Sequence, residues 1–269
     1  MLHAGSGPTD RDGNSRLLPG PNDSLKQLAE GLARGGVASL RYDKRGIGQS
    51  APAMASESAL RFDDYVDDAA AWIRQLRGDP QFSRVIVAGH SEGSLIGMLA
   101  AGHAGADAYV SIAGLARSAD EALASQLAGK LPPALAADNG AILASLKAGR
   151  TVDQVPPPLA QLYRPSVQPY LISWFVYEPR KVLAALSMPV LILQGSSDIQ
   201  VPVVAARELA AARPDATLVV IDGMNHLLKM VGQDAALQQR SYSHPEPQVS
   251  PRLIDAIVGF AKEKGGQIR

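Results

Sequence analysis

The residues best suited to chemistry lie in Val85-Ile86-Val87-Ala88-Gly89-His90-Ser91-Glu92-Gly93-Ser94-Leu95-Ile96-Gly97. An apolar, β-branched run meets a glycine, passes one serine with glycine two residues to either side, and continues in small residues suited to a helix. The pattern predicts strand, sharp turn and helix. A serine on such a turn has strained backbone angles, and tiny flanking residues keep the turn from colliding with itself. The strain aims the Ser91 hydroxyl out of the carboxyl end of a sheet. The helix that starts there offers unpaired N–H groups to a developing oxyanion. Gly-x-Ser-x-Gly is short enough to arise by chance, and its place between a predicted strand and a predicted helix gives it weight.

A serine hydroxyl attacks only when an imidazole takes its proton, and the imidazole needs a carboxylate to orient it and stabilise its charge. His226 follows the apolar run Thr217-Leu218-Val219-Val220-Ile221-Asp222-Gly223, which puts it at the carboxyl end of a strand. His90 lies inside the turn with its side chain expected to face away, and His103 ends a helix. His3 lies in the first strand, and His244 sits in a proline-rich loop as the alternative base. For the acid, Asp198 follows the preceding strand, Met188-Pro189-Val190-Leu191-Ile192-Leu193-Gln194-Gly195, at the same end. Asp222 and Asp120 are weaker candidates. Neighbouring strand ends would bring Asp198 and His226 together.

These groups need a scaffold, and composition allows one. A chain of 269 residues with 46% hydrophobic content can bury a large core as one domain, or as one domain with an insertion. The formal net charge is zero and no basic run is interleaved with aromatics, which disfavours nucleic acid and anionic membrane partners. No segment approaches the ~18 apolar residues of a membrane span. Cysteine is absent, which removes disulfides and thiolate chemistry and fits either redox compartment. With no basic and apolar leader in the sequence as given, a cytoplasmic location is expected, an export signal further upstream remaining the alternative.

In chain order, a stub of strand over 1–4 leads into the turn-rich Gly5-Ser6-Gly7-Pro8-Thr9-Asp10-Arg11-Asp12-Gly13-Asn14. Asp10, Asp12 and Asn14 alternate as in a calcium loop, but the glycine and glutamate of an EF-hand are out of place, so no metal is expected. No cofactor is expected either, because the glycine-rich loops lack a Lys-Ser/Thr phosphate signature. Asn22-Asp23-Ser24 can cap a helix over 25–34, and Val37-Ala38-Ser39-Leu40-Arg41-Tyr42-Asp43 reads as a strand. Asp63, Asp64, Asp67 and Asp68 crowd the start of a helix to 76, where negative charge is favoured without a catalytic role. A strand over 107–114, those ending at 195 and 223, and helices over 203–212 and 251–262 complete an alternation. This predicts an α/β fold with a doubly wound, mainly parallel sheet. The two late apolar runs read as strands buried on both faces.

Residues 115–186 break that rhythm, being alanine-rich and then gathering Tyr163, Tyr170, Trp174, Phe175 and Tyr177. They are read as an inserted helical cap on a core made of 1–114 and 187–269. The aromatics could wall a substrate pocket or simply pack the cap onto the core. Tyr163, Tyr170, Trp174 and Phe175 are the candidate substrate contacts.

The order Ser91, Asp198, His226 on an alternating chain resembles the α/β-hydrolase superfamily, within it most of all bacterial serine esterases of the carboxylesterase type. Asp43-Lys44-Arg45-Gly46-Ile47-Gly48-Gln49-Ser50 looks like the family's Asp-x-Arg-Gly-x-Gly-x-Ser loop, and Gly5-Ser6-Gly7-Pro8 sits where the family has its oxyanion loop. The resemblance implies an oxyanion hole made by the backbone N–H groups of Ser6 and Glu92, and hydrolysis of a small carboxylic ester through an acyl-enzyme. Some relatives are labelled prolyl-oligopeptidase-like peptidases, and an acidic residue for a peptide amine, Glu92 or Glu178, would favour that activity. A lactonase or thioesterase would differ only in its pocket. A non-catalytic receptor would be expected to lack a triad member. The family usually has two strands ahead of the one carrying the oxyanion loop, and these are missing here. The 37–43 strand is therefore expected to be a bare edge, with either a reading frame that begins upstream or a second copy of the chain covering it in a homodimer.

Overall fold

The computed structural model describes residues 1–263. A five-stranded, all-parallel sheet runs in the order β1 (Leu2–His3), β2 (Ile86–His90), β3 (Ala108–Ile112), β4 (Val190–Gly195) and β5 (Thr217–Ile221). Every strand runs the same way, so every carboxyl end faces the same rim.

Side chains alternate across this sheet as the period of two requires. Val87, Tyr109, Val190 and Ile192 join one core, while Ala88, Val110, Leu191 and Leu193 join the other. The second core is closed by α1 (Ser24–Arg34) and, from the chain's end, by a helix over Pro251–Lys262. The first is closed by α2 (Phe62–Gly78), α3 (Glu92–Ala104) and further helices that follow β3. β4 is buried throughout, as expected, whereas β5 is half-buried over Thr217–Val220. It forms one edge of the sheet, so its run of Val and Ile serves a strand covered less fully than β4.

The other edge departs from the expected strand over 37–43. The backbone there makes one bridge, Leu2 to Arg41, with the Leu2 N–H donating to Leu40 O at 2.9 Å. β1 is only two residues long and offers no ladder to extend. Beyond the bridge, Arg41 reaches to Asp12, and Asp43 turns in to Arg11. The cap of α1 also differs: Asp23 stands at the N-cap with φ 54° and makes no side-chain cap, while Asn22 Oδ1 accepts the Ser24 N–H at 2.9 Å.

Between β3 and β4 the chain forms α4 (Ala119–Leu127), α5 (Pro133–Lys147), α6 (Ala160–Tyr163), α7 (Gln168–Phe175) and α8 (Pro179–Ala184). α7 packs on α2, with the Trp174 ring stacked on Phe62 at 5.7 Å between centroids. α8 packs against α3 and α9 (Val203–Ala212), in the layer that flanks the sheet. α10 (Ala235–Ser241) and α11 (Pro251–Lys262) are the last helices among the described residues. Among the described residues no helix is long and apolar enough to cross a membrane.

Candidate active site

Ser91 joins β2 to α3 at φ 56° and ψ −123°, a conformation that an L-residue holds only when its surroundings force it. The force is visible on both sides of the turn. A methyl group placed on Gly89 would lie 2.0 Å from Gly93 O, and one on Gly93 would lie 2.4 Å from Ala4 O. Only glycine lets strand, helix and β1 close around the serine. The Ser91 N–H donates to Ile112 O at 2.9 Å, which ties the turn to the end of β3.

Two strands away, the chain after β4 carries Asp198 and the chain after β5 carries His226. Backbone bonds stitch these loops together, Ser196 N–H to Ile221 O and Ser197 N–H to Met224 O, both at 3.0 Å. The His226 Nδ1–H donates to Asp198 Oδ2 at 2.8 Å, which leaves Nε2 as the acceptor. Asp198 accepts further bonds from Gln194 Nε2 at 3.0 Å and from the Gln200 and Val201 N–H groups at 2.8 and 2.9 Å. Burial alone would raise this carboxyl. The charge and hydrogen bond of His226, with the two backbone donors, outweigh it and hold Asp198 below the usual carboxylate range. Asp222 is exposed and accepts from Ser196 Oγ, while the imidazole Nδ1 bonds Asp198. His244 accepts the Glu246 N–H in its own loop, and Asp120 pairs with Lys147.

His90, expected to face away from the site, instead donates from Nε2 to His226 O at 2.8 Å. Burial pushes this imidazole down to about 3, so it stays neutral and acts as a fixed strut. A histidine inside the turn was visible in the sequence; that it reaches the loop after β5 was not.

The glycine-rich loop after β1 lies against the turn, with a methyl on Gly5 only 3.2 Å from Ser91 Cβ. The loop of residues 43–50 holds it there. Asp43 accepts the Arg11 N–H at 2.8 Å, Arg11 Nη2 at 2.7 Å and the Gln49 N–H at 2.9 Å. Asp10 accepts the Asp12 and Asn14 N–H groups and the Asp12 carboxylate pairs with Arg41, so both carboxylates of that loop serve its own fold. Among the described residues no group of three His, Cys, Asp or Glu is arranged to hold a metal ion.

Two hollows meet at Ser91 and Ser6. One, of about 500 Å³, lies beneath the helical insertion and is lined by Tyr65, Leu123, Tyr170, Leu171 and Trp174. The other, of about 330 Å³, is lined by Leu17, His90, His226 and Tyr242. Of the four aromatics expected at the substrate, Tyr170 and Trp174 line the first hollow, one helical turn apart on α7. Tyr163 and Phe175 are packed inside the insertion. Tyr163 is fully buried with its hydroxyl on Asn139 Oδ1 at 2.7 Å, and Phe175, next to Trp174 on the helix, turns into the core. Glu92 sits at the first helical position of α3, where its N–H has no intrahelical acceptor. Its carboxylate is buried, accepting the Tyr170 hydroxyl at 2.7 Å and lying 3.6 Å from Lys44 Nζ.

A parallel sheet with a serine on a strained turn after β2, and an acid and a histidine after β4 and β5, is the α/β-hydrolase arrangement. The chain has the α/β-hydrolase fold. The family described as "Serine aminopeptidase, S33" matches residues 22–154. Esterase EstD of Thermotoga maritima is 29% identical over 264 residues, covering 96% of this chain; the chain spans 60% of that relative's length. Among solved structures, Est1E of Butyrivibrio proteoclasticus aligns with a TM-score of 0.59 at 17% identity, over 97% of this chain and 85% of its own. A thermophilic esterase of Thermogutta terrifontis aligns with a TM-score of 0.55 at 20% identity, over 97% and 88%. These likenesses concern the fold.

Proposed function

We propose that the protein hydrolyses small carboxylic esters through an acyl-enzyme on Ser91. The observation that carries this reading is the Asp198–His226 pair at 2.8 Å, opening on the same hollow as a serine held at φ 56°. Ser91 Oγ attacks the ester carbonyl as its proton passes to His226 Nε2, and Asp198 stabilises the imidazolium. The carbonyl oxygen becomes an oxyanion facing the N–H groups of Ser6 and Glu92. The C–O bond to the alcohol then breaks and His226 returns the proton to the departing oxygen. Water repeats the sequence on the acyl-enzyme and frees the acid. Because His226 must protonate the leaving oxygen, the alcohol belongs in the hollow that His226 lines, and the acyl group in the larger apolar one under the insertion. The esterase name of the relative in Thermotoga maritima points the same way.

A peptidase would use the same three residues and would need a carboxylate for the peptide amine. The Glu92 carboxylate is already taken by Lys44 and Tyr170, Glu57 at the larger hollow is taken by Arg164 and Ser166, and Glu178 does not line either hollow. This favours the ester. The test is turnover of p-nitrophenyl esters of increasing acyl length beside matched anilides, for wild type and Ser91→Ala. Ester turnover far ahead of anilide turnover, with a burst that Ser91→Ala abolishes, is expected. Comparable anilide turnover would assign a peptidase, and turnover that survives Ser91→Ala would remove the serine from the mechanism.

A further inference from the structure

Lys44 belongs to the 43–50 loop, yet its side chain is only 1% exposed and lies inside the site. Nζ donates to Gly5 O at 2.5 Å and to Gly7 O at 3.1 Å, lies 3.6 Å from Glu92 Oε2, and sits 5.3 Å from the centre of the Tyr65 ring. Its donors are thereby used within the protein. Burial pulls its pKa down while Glu92 opposes the fall.

The two carbonyls it holds flank Ser6. In a planar trans peptide the C=O and the following N–H point in opposite directions, so fixing Gly5 O fixes where the Ser6 N–H is aimed. That peptide has little else to hold it. Gly5 and Gly7 supply no Cβ, and Gly7 has φ +68° with open space around its Cβ position. The Thr9 hydroxyl and N–H bond to Ser6 O and Gly7 O, both at 2.8 Å, which steadies the next two peptides but leaves the Gly5–Ser6 unit to Lys44. The counter-ion is equally placed: Glu92 contributes the opposite N–H, and its carboxylate is held by Tyr170 from α7. A buried ion pair adds little net stability, because desolvation offsets the attraction. Its value here is in aiming groups.

We infer that Lys44 is a positioning residue for the oxyanion site, holding the Gly5–Ser6 peptide so that its N–H faces the reacting carbonyl, with Glu92 as counter-ion and Tyr170 as its tie to the helical insertion. The inference rests on the proposed esterase reading. Removing Lys44 frees the peptide to rotate, and its N–H then has to be ordered at the moment of reaction instead of beforehand. The loss falls on the transition state, where the oxyanion forms, and spares ground-state binding in the two hollows.

The test uses the full-length chain as wild type, Lys44→Met, Lys44→Met/Glu92→Gln and Ser91→Ala. kcat and KM are measured separately on one p-nitrophenyl ester, with the affinity for phenylboronic acid, whose tetrahedral adduct mimics the oxyanion, and the thermal midpoint. In Lys44→Met, kcat is expected to fall roughly 10- to 100-fold, below or within the range for outright loss of an oxyanion donor, with KM within about twofold and boronate affinity falling in parallel. If the lone Glu92 charge unfolds that variant, the double replacement leaves no unpaired charge and gives the reading instead. Wild-type kcat in either folded variant, or a rise in KM with kcat unchanged, overturns the role of Lys44. Turnover that survives Ser91→Ala overturns the serine esterase itself, whereas Ser91-dependent turnover indifferent to Lys44 overturns only this inference.

Discussion

Gly89→Ala and Gly140→Ala make the same chemical change at two places where the geometry demands opposite results. At Gly89 the new methyl would lie 2.0 Å from Gly93 O, 2.5 Å from Gly93 C and 2.7 Å from Ser94 Cα. All three are backbone atoms in the first turn of α3, so no side chain can rotate aside. Relief requires β2 and α3 to part by roughly 1 Å, in a core where overpacking costs about 1–3 kcal/mol and sometimes more. Taking about 3 kcal/mol and roughly 2–4 °C per kcal/mol for a chain of this size, the thermal midpoint should fall by about 6–12 °C. A shift of about 1 Å at the nucleophile should also lower ester turnover by around 100-fold. Gly140 is exposed in the middle of α5 with nothing within 4 Å of the added methyl. There alanine should stabilise by about 0.5–1 kcal/mol, through helix propensity and a less disordered unfolded chain. Thermal unfolding followed by circular dichroism, with turnover on the same samples, reads both. A Gly89→Ala protein that melts with wild type, or a Gly140→Ala protein that loses as much as Gly89→Ala, would refute the reasoning.

Asp198→Asn should lower kcat by about 10⁴-fold, since an amide cannot fix the same imidazole tautomer, whereas Asp222→Asn should stay within about twofold of wild type. Steady-state kinetics with the reverse outcome would make Asp222 the acid. For pH, the Asp43 carboxyl is held at about 2 by its bond to Arg11, with the Gln49 and Arg11 N–H groups adding to the effect against burial. A carboxyl with a depressed pKa contributes stability that is fully present above its unfolded value near 4 and disappears as pH falls from about 4 to 2. Asp43→Asn should therefore be less stable than wild type by about 2 kcal/mol at pH 7, the gap closing across that window. Urea unfolding between pH 2 and 7 that shows a constant gap would sink the assignment.

What could be seen in the sequence was whatever local chemistry determines. Pro251 at a helix start behind Ser250, whose hydroxyl accepts the Leu253 N–H, and Pro202 ahead of Val203 mark α11 and α9 to the residue. Ser91, Asp198 and His226 were legible because each follows an apolar run, and parallel strands collect whatever follows them at one rim. The segment 37–43 misled because strand composition says nothing about the length of the neighbour, and a two-residue β1 cannot support a ladder. Tyr163 and Phe175 could not be separated from Tyr170 and Trp174 by composition; only the helical spacing of 170 and 174 distinguishes them, and it does not say which face meets the hollow. Lys44 and the inward turn of His90 were hidden for another reason. Both depend on partners far along the chain, Glu92 in one case and the His226 carbonyl in the other, and a lysine in a loop ordinarily reads as a solvated charge.

The single block of helices between β3 and β4 has a consequence for how such a chain can diversify. The Ser91 turn, the Gly5–Thr9 loop and the Asp198 and His226 loops all lie outside it, while one wall of the larger hollow is written within it. On the proposed function, a gene arranged in this way keeps its reagent and its selector in separate text, so one can be rewritten while the other is copied unchanged. The separation is crossed by the Gln126 amide on Gln200 O in the Asp198 loop and by the Tyr170 hydroxyl on the Glu92 carboxylate. Any replacement for the inserted helices has to bring a donor to that carboxylate, and that requirement limits which inserts the scaffold can accept.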